Sequence, residues 1–490
     1  MEGERMCAFA EKAVNEIKKT FENCYDFQIR ALNAGGKGKF PAHIFFIDGL
    51  VSGVDLSENV IRPMTDWIRF ERVDDIREFV RMITGGVVYN HTVRMRMNAD
   101  EAIDDLLSGF CGVIFDQYPA ILTFETRSAD KRGIDQPKEE KVEKGAKDTF
   151  IEILKTNTML IRRRIKDKNL KIEQVVLGEK TNTAVAMVYI DGYTNPEIVS
   201  KVRERLGNIK SEGILSTSDI EENIADAPKS VFPQLLTTER PDKFCLNIIE
   251  GRVGIIADGL PVGILAPGTF SQFFKVPEDK AHHYVIVTLL TMLRYAALLM
   301  SLLLPAFYVA IAMYHQEMIP TKLLQSIIDS KQSVPFPTAI EVILMLLSFE
   351  LLQEAGLRLP NPVGETVSII GALIVGQSAV EAQIVSPVVI IVVAFAGIAG
   401  YTMPNQDMSA ALRICRFILV IAAILAGMFG LAIVSCLIIY HLCTLSTFGV
   451  PYMDPFAGSD ARNIIKALSR EPVMERQEKD ETLFFGGDEK

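Results

Sequence analysis

The sequence predicts a mixed α/β cytoplasmic domain of two subdomains followed by an all-α polytopic membrane domain. Three observations lead there. Hydrophobic residues make up 49% of the 490, and the mean hydropathy is +0.22, rich for a soluble chain. The excess is concentrated late: residues 295–313, 384–406 and 417–440 contain no Asp, Glu, Lys or Arg, and about 20 apolar residues span a bilayer core as a helix. The first half instead mixes strand-period and helix-period segments with charged turns.

Taken in order, residues 1–127 form the first subdomain. An amphipathic helix is expected near 6–22, then strands in FQIRAL and HIFFIDGLV around the loop NAGGKGKFP, helical patterns near 56–82, and strands in GVIFD and AILTFET. Residues 128–147 carry eleven charges in twenty and read as a linker. The second subdomain, 148–282, opens with a predicted helix over DTFIEILKTNTMLIRRRI. Strands KIEQVVLG and NTAVAMVYIDG follow, then a helix from Asn195-Pro196 and a meander of strands through FCLNIIEGRVGIIADGLPVGILAP. The membrane domain, 283–456, holds apolar segments at 284–313, 339–352, 366–380, 384–403 and 413–440, and a charged tail occupies 457–490.

The N-terminus mixes acids with bases and lacks a long apolar stretch, so no signal peptide is expected and the first half is placed in the cytoplasm. The basic residues of the tail favour a cytoplasmic C-terminus. Two ends on one side require an even number of crossings. With five segments, one, 339–352 or 366–380, has to dip and return or lie at the interface. Arg413 and Arg416 at the mouth of the last segment do not fit every such arrangement.

The formal net charge of −10 without a basic face argues against a nucleic-acid partner. Seven cysteines without a CxxC or Cys/His cluster are read as reduced thiols, so no metal or cofactor is expected. GGKGKF lacks phosphate-loop spacing and reads as a hairpin loop. The run Arg162, Arg163, Arg164 reads as a solvated face or an interface. No nucleophile–base constellation stands out, so no catalytic residue and no enzyme activity is expected.

The informative residues are carboxylates in the apolar half. Glu341, Glu350 and Glu354 interrupt VPFPTAIEVILMLLSFELLQEAGLRLP, and charges in lipid cost about 2.5–3.5 kcal/mol each. Glu350 and Glu354, four apart, share a helix face, whereas Glu341 points away. Glu354 is placed to pair with Arg358. Glu350, without such a partner in its own segment, either lines an ion path or bonds a neighbouring helix. Glu341 follows Pro335 and Pro337, where a carboxylate complements the helix dipole. Arg294 either pairs with a glutamate or snorkels to the surface. Gln377 and Glu381 complete the polar set. Gly371 and Gly376 permit close helix approach or a break, and Pro305 is a further break or packing position. Such interrupted segments fit ion-handling proteins, channel or transporter alike.

Between Gly145 and Pro455 the stretches GAKDTFIEILKTNTMLIRRRI, FPQLLTTERPDK, EGRVGIIADGLPVGILAPGTFSQFF, YHQEMIP, GALIVGQSAVEAQIVSPVVI and FGVPYMDP, with the acidic segment above, resemble the A-subunits of bacterial spore germinant receptors, the GerA family. The resemblance implies an integral protein of the spore inner membrane, its N-terminal domain on the core side. It implies a homo-oligomeric ring, a pentamer, conducting monovalent cations when germinant binds. It also implies two partners: a transporter-like membrane subunit carrying the nutrient site, and a lipoprotein subunit. An accessory branch of the family, associated with dipicolinic-acid release, and a cation-coupled secondary transporter are the alternatives. The sequence departs from the family pattern at Lys280, Ala281, His282 and His283, and in GAKDTF.

Overall fold

The computed structural model describes residues 2–66, 69–88, 92–128, 140, 145–358, 376–456 and 468–469. The chain divides into two compact units, Met1–Pro228 with Leu235–Pro267, and Lys229–Gln234 with Gly268–Gln477.

The first unit is built on two antiparallel five-stranded sheets. After helix α1 (Glu2–Thr20), β1 (Phe27–Ala34) and β2 (Phe40–Ile47) form a hairpin across the GGKGKF loop, as its glycines predict. Helical turns over 53–65 and helix α2 (Ile76–Met82) lead to β3 (Val93–Arg96), α3 (Ala99–Leu107), β4 (Phe110–Phe115) and β5 (Ile121–Glu125). The order in the sheet is β1-β2-β4-β5-β3. Side chains alternate across the pleat, so Phe45, Ile47, Ile114 and Ile121 pack on α1 and α3, while Phe40, Ile44, Val113 and Phe115 face Val60, Met64 and Phe79. The sequence reading overlooked β3 and α3, which are short and rich in charge. Asn98 caps α3 by accepting from the Asp100 N–H.

The second sheet repeats this plan. Helix α4 (Leu154–Arg164) precedes β6 (Leu170–Leu177) and β7 (Thr183–Ile190). Helices α5 (Pro196–Gly207) and α6 (Ser218–Ile224), β8 (Leu236–Thr238), α7 (Pro241–Ile249), β9 (Val253–Ala257) and β10 (Gly263–Ala266) follow, in the order β6-β7-β9-β10-β8. The two sheets therefore share one topology. In both, an aromatic ring occupies the space beside a strand glycine: a Cβ at Gly112 would meet Phe45 at 2.1 Å, and one at Gly254 would meet Phe244 at 2.1 Å. Helix α5 starts where Asn195-Pro196 predicts.

Two expectations need correction here. The helix anticipated over 148–165 begins only at Leu154, because the Asn157 side chain brackets Ile151 with two hydrogen bonds, from Ile151 N and to Ile151 O, and holds that residue outside the helix. FCLNII is helical and not a strand, since Pro241 at the first turn fixes a helix start before it. The run of three arginines also divides: Arg163 is exposed, Arg164 pairs with Asp148, and Arg162 is buried.

In the second unit, α8 (Tyr284–Tyr314) is followed by α9 (Thr321–Lys331), α10 (Thr338–Arg358), α11 (Pro387–Tyr401) and α12 (Gln406–Thr444). Helices α8 and α12 have the length and apolarity to cross a membrane. Segment 413–440, expected as one span, is not straight: Ala426 (φ −139°, ψ 15°) and Gly427 (φ 60°, ψ −139°) are non-helical. A Cβ on Gly430 would lie 2.3 Å from the Ala422 carbonyl, whereas residues eight apart in a straight helix are separated by about 12 Å. The chain has turned back on itself, and α12 is a helical hairpin.

Its legs have definite directions. Ser301 meets Arg416 and Tyr314 meets Ile424, so the first leg runs parallel to α8. After the turn, Phe270 N donates to Tyr452 O and Tyr295 packs on both Phe274 and Phe456, so the second leg returns to the Tyr295 end of α8. Glu341 meets Ser386 and Phe349 meets Gly397, which makes α10 and α11 parallel to each other. Gly400 lies against Ser301, while the phenol of Tyr308 feels Glu341 and Ser386, so both run opposite to α8. A core of Ala306, Val309, Val342, Met345, Val389, Val393, Leu419 and Ala423 joins the legs.

Candidate functional site

The polar residues of the second unit are the candidates, and the fold gives each a distinct setting. Arg294 meets an aspartate and not a glutamate. Its guanidinium donates two hydrogen bonds to Asp279, at 2.7 and 2.9 Å, and one to Phe274 O at 3.0 Å. Asp279 also accepts from Val276 N, and this fixes the chain entering α8.

Glu341 is 1% exposed and lies in the first turn of α10, after Pro337, whose carbonyl accepts from Ile340 N and Glu341 N; Pro335 stands in the preceding turn. Its carboxylate also serves a second helix: Oε2 accepts the Ser386 N–H at 2.7 Å, at the start of α11. Oε1 lies 3.5 Å from Lys331 Nζ, which also donates to Thr338 Oγ1. The helix termini and the lysine together compensate a buried charge.

Glu350 has a partner that no spacing rule within its segment would reveal. Arg413, on the first leg of α12, donates to Glu350 Oε2 at 3.1 Å and to Gln353 Oε1 at 3.4 Å. Arg416, one turn further, is 6% exposed and donates to Ser301 Oγ at 2.5 Å. Among the described residues its Nε has no hydrogen-bond partner. Gly400 makes room for it, since a Cβ there would lie 3.1 Å from Arg416 Nη2. Arg413 and Arg416, which did not fit every crossing arrangement, thus reach partners on α10 and α8. Sequence reasoning missed this because their partners are 60 or more residues away.

Glu354 is exposed; the Arg358 side chain expected beside it, and Gly371, lie outside the described residues. Gly376 packs on Ile390 at 3.7 Å from its would-be Cβ. Gln377, Ser378, Glu381 and Gln383 are exposed on the stretch leading into α11. Pro305 is buried within α8, which runs through it. Among the described residues no cluster of His, Cys, Asp and Glu is fit to hold a metal ion.

Comparison with known proteins places this arrangement. The family model described as Bacillus/Clostridium GerA spore germination protein matches residues 15–482. Spore germination protein KA of Bacillus subtilis is 36% identical over 474 residues, covering 96% of this chain and 86% of that protein. Spore germination protein B1 of the same organism is 34% identical, covering 94% of each. GerLA of Bacillus cereus is 32% identical over 96% of this chain and 95% of its own length. The crystal structure of the N-terminal domain of the A subunit of the Bacillus megaterium spore germinant receptor GerK3 aligns at 27% identity with a TM-score of 0.42, covering 52% of this chain and 94% of that one. The chain belongs to the GerA family of spore germination proteins, the family of spore germinant receptor A-subunits.

Proposed function

We propose that this chain is the ring-forming membrane subunit of a germinant receptor in the spore inner membrane, and that the ring passes monovalent cations when nutrient binds a transporter-like partner. A lipoprotein subunit completes the complex. The membrane reading is supported by α8: Arg294, fixed to Asp279, and Tyr314 bracket the charge-free stretch 295–313, about 28 Å at 1.5 Å per residue. A cationic anchor at one end and a tyrosine at the other suit two interfaces.

The observation that carries the channel reading is the exposed polar stretch Gln377, Ser378, Glu381 and Gln383 immediately before the apolar helix α11. Polar side chains do not face lipid. In a ring of copies they would form an acidic rim that concentrates cations. Glu350 fits that rim less well, because Arg413 holds its charge inside the bundle. The ligand site belongs to the partner subunit, and its occupancy would shift the ring between closed and open populations.

Potassium release from spores after nutrient addition tests the reading. Glu381→Gln at equal protein abundance is expected to slow release several-fold, consistent with loss of a rim charge. Release at the wild-type rate in both Glu381→Gln and a strain lacking the chain would overturn it.

A further inference from the structure

Helix α9 sits where no function has been assigned. It begins seven residues after α8 ends at Tyr314, and its last residue, Lys331, is tied to Glu341 and Thr338 at the start of α10. Both of its ends are thus held at the Tyr314 end of the bundle. The sequence TKLLQSIIDSK gathers Leu323, Leu324, Ile327 and Ile328 on one arc of the helix, with Lys322, Gln325, Ser326 and Asp329 on the opposite arc. Ile327, at the middle of the apolar arc, is buried. Its flanks are not: Leu323 is 52% and Ile328 50% exposed, beside Met318 at 59% and Phe336 at 40%.

An apolar arc wider than its contact with the protein needs another apolar medium. The span before it ends at Tyr314, so the medium at that level is the boundary between lipid headgroups and acyl chains. We infer that α9 is an interfacial helix, lying in the plane of the leaflet at the Tyr314 end with Leu323 and Ile328 sunk into the acyl boundary. The inference rests on the membrane reading above. Lys322, on the polar arc, would lie at headgroup level, where anionic lipid attracts it, while Lys331 stays on Glu341. Because Lys331 also neutralises the carboxylate that caps α11, the seating of α9 in lipid is coupled to the ends of two bundle helices.

The test uses the full chain in phosphatidylcholine vesicles, with its single tryptophan, Trp67, replaced by Phe and one new tryptophan introduced at a time. L323W is expected to be quenched about twofold or more by lipid brominated near the headgroup, and Q325W, on the polar arc, to be quenched by aqueous iodide instead. L299W, at an exposed position of α8, is the control for insertion. If L299W is quenched by bromine while L323W responds to iodide alone, α9 lies in water and the inference fails. If L323W responds to neither quencher, protein covers the helix, and the inference fails equally. If L299W is not quenched by bromine, the membrane reading itself falls, and the inference falls with it.

Discussion

The charges that matter most in the first unit are paired across long stretches of sequence. Arg162, on α4 ahead of the second sheet, donates to Asp26, just before β1 of the first sheet, at 2.8 and 3.0 Å, with both side chains almost fully buried. It also donates to Leu170 O. Removing one partner would strand the other charge, so Asp26→Asn is expected to destabilise this unit by about 3–5 kcal/mol, read as a loss in denaturant midpoint. A shift within error would show that the packing of this unit does not depend on the pair. Asp105 on α3 offers a pH test. Burial alone would raise its carboxyl, but hydrogen bonds from Arg96, Thr123 and Arg94 outweigh burial and hold it below its ordinary value of 3.8. A depressed carboxylate adds stability above its unfolded value and loses it as the pH falls through the folded one. The stability gap between wild type and Asp105→Asn should therefore be level from pH 7 to about 5 and close only below the ordinary aspartate value. A gap that closes above pH 5 would contradict the assigned hydrogen bonds. None of these pairs is visible in sequence. The arginine run reads as a solvated face or an interface, and only the fold shows that Arg162 meets the acidic Asp26.

Among the elements, α12 departs most from expectation. Its 24 uncharged residues from 417 to 440 match a single span, and a period-based reading has no term for a reversal. The local signal is the AG pair at 426–427: Gly427 takes φ 60°, ψ −139°, open mainly to glycine, and faces the Tyr314 ring. Tyr314 Oη donates to the Ile424 carbonyl at 2.6 Å, one of those left free where the first leg ends. Gly427→Ala should strain the turn by about 1–3 kcal/mol, and a Cβ would lie 3.1 Å from Tyr314. Reduced thermal stability of the purified membrane protein is the expected readout, and an unchanged melting temperature would argue against the reversal. The hairpin also bears on the crossing count. Splitting the fifth segment into two legs adds one pass to that count. Elements set by punctuation, such as the β1–β2 hairpin and the Asn195-Pro196 helix start, were legible because their signals are local.

At the scale of the molecule, the doubled topology of the first unit was hidden from sequence. The two sheets share strand order but not an obvious repeat of residues, because a strand order constrains burial pattern more than identity. The apolar helices of the second half were legible in outline, since apolar length depends on composition alone. Its polar interior was not: Glu341, Glu350 and Arg416 meet partners contributed by other helices. The chain presents a bundle whose inner charges are largely committed to structure and which exposes a polar stretch before α11. That division is the reason to look for conduction between copies and not through one. The most direct measurement is nutrient-triggered potassium flux from vesicles containing the complete receptor complex, with and without this chain. The account predicts cation flux that requires both the nutrient and the chain and that falls in Glu381→Gln. A fully assembled complex that binds nutrient yet passes no potassium would contradict it, leaving the chain a scaffold for a conduction path formed elsewhere.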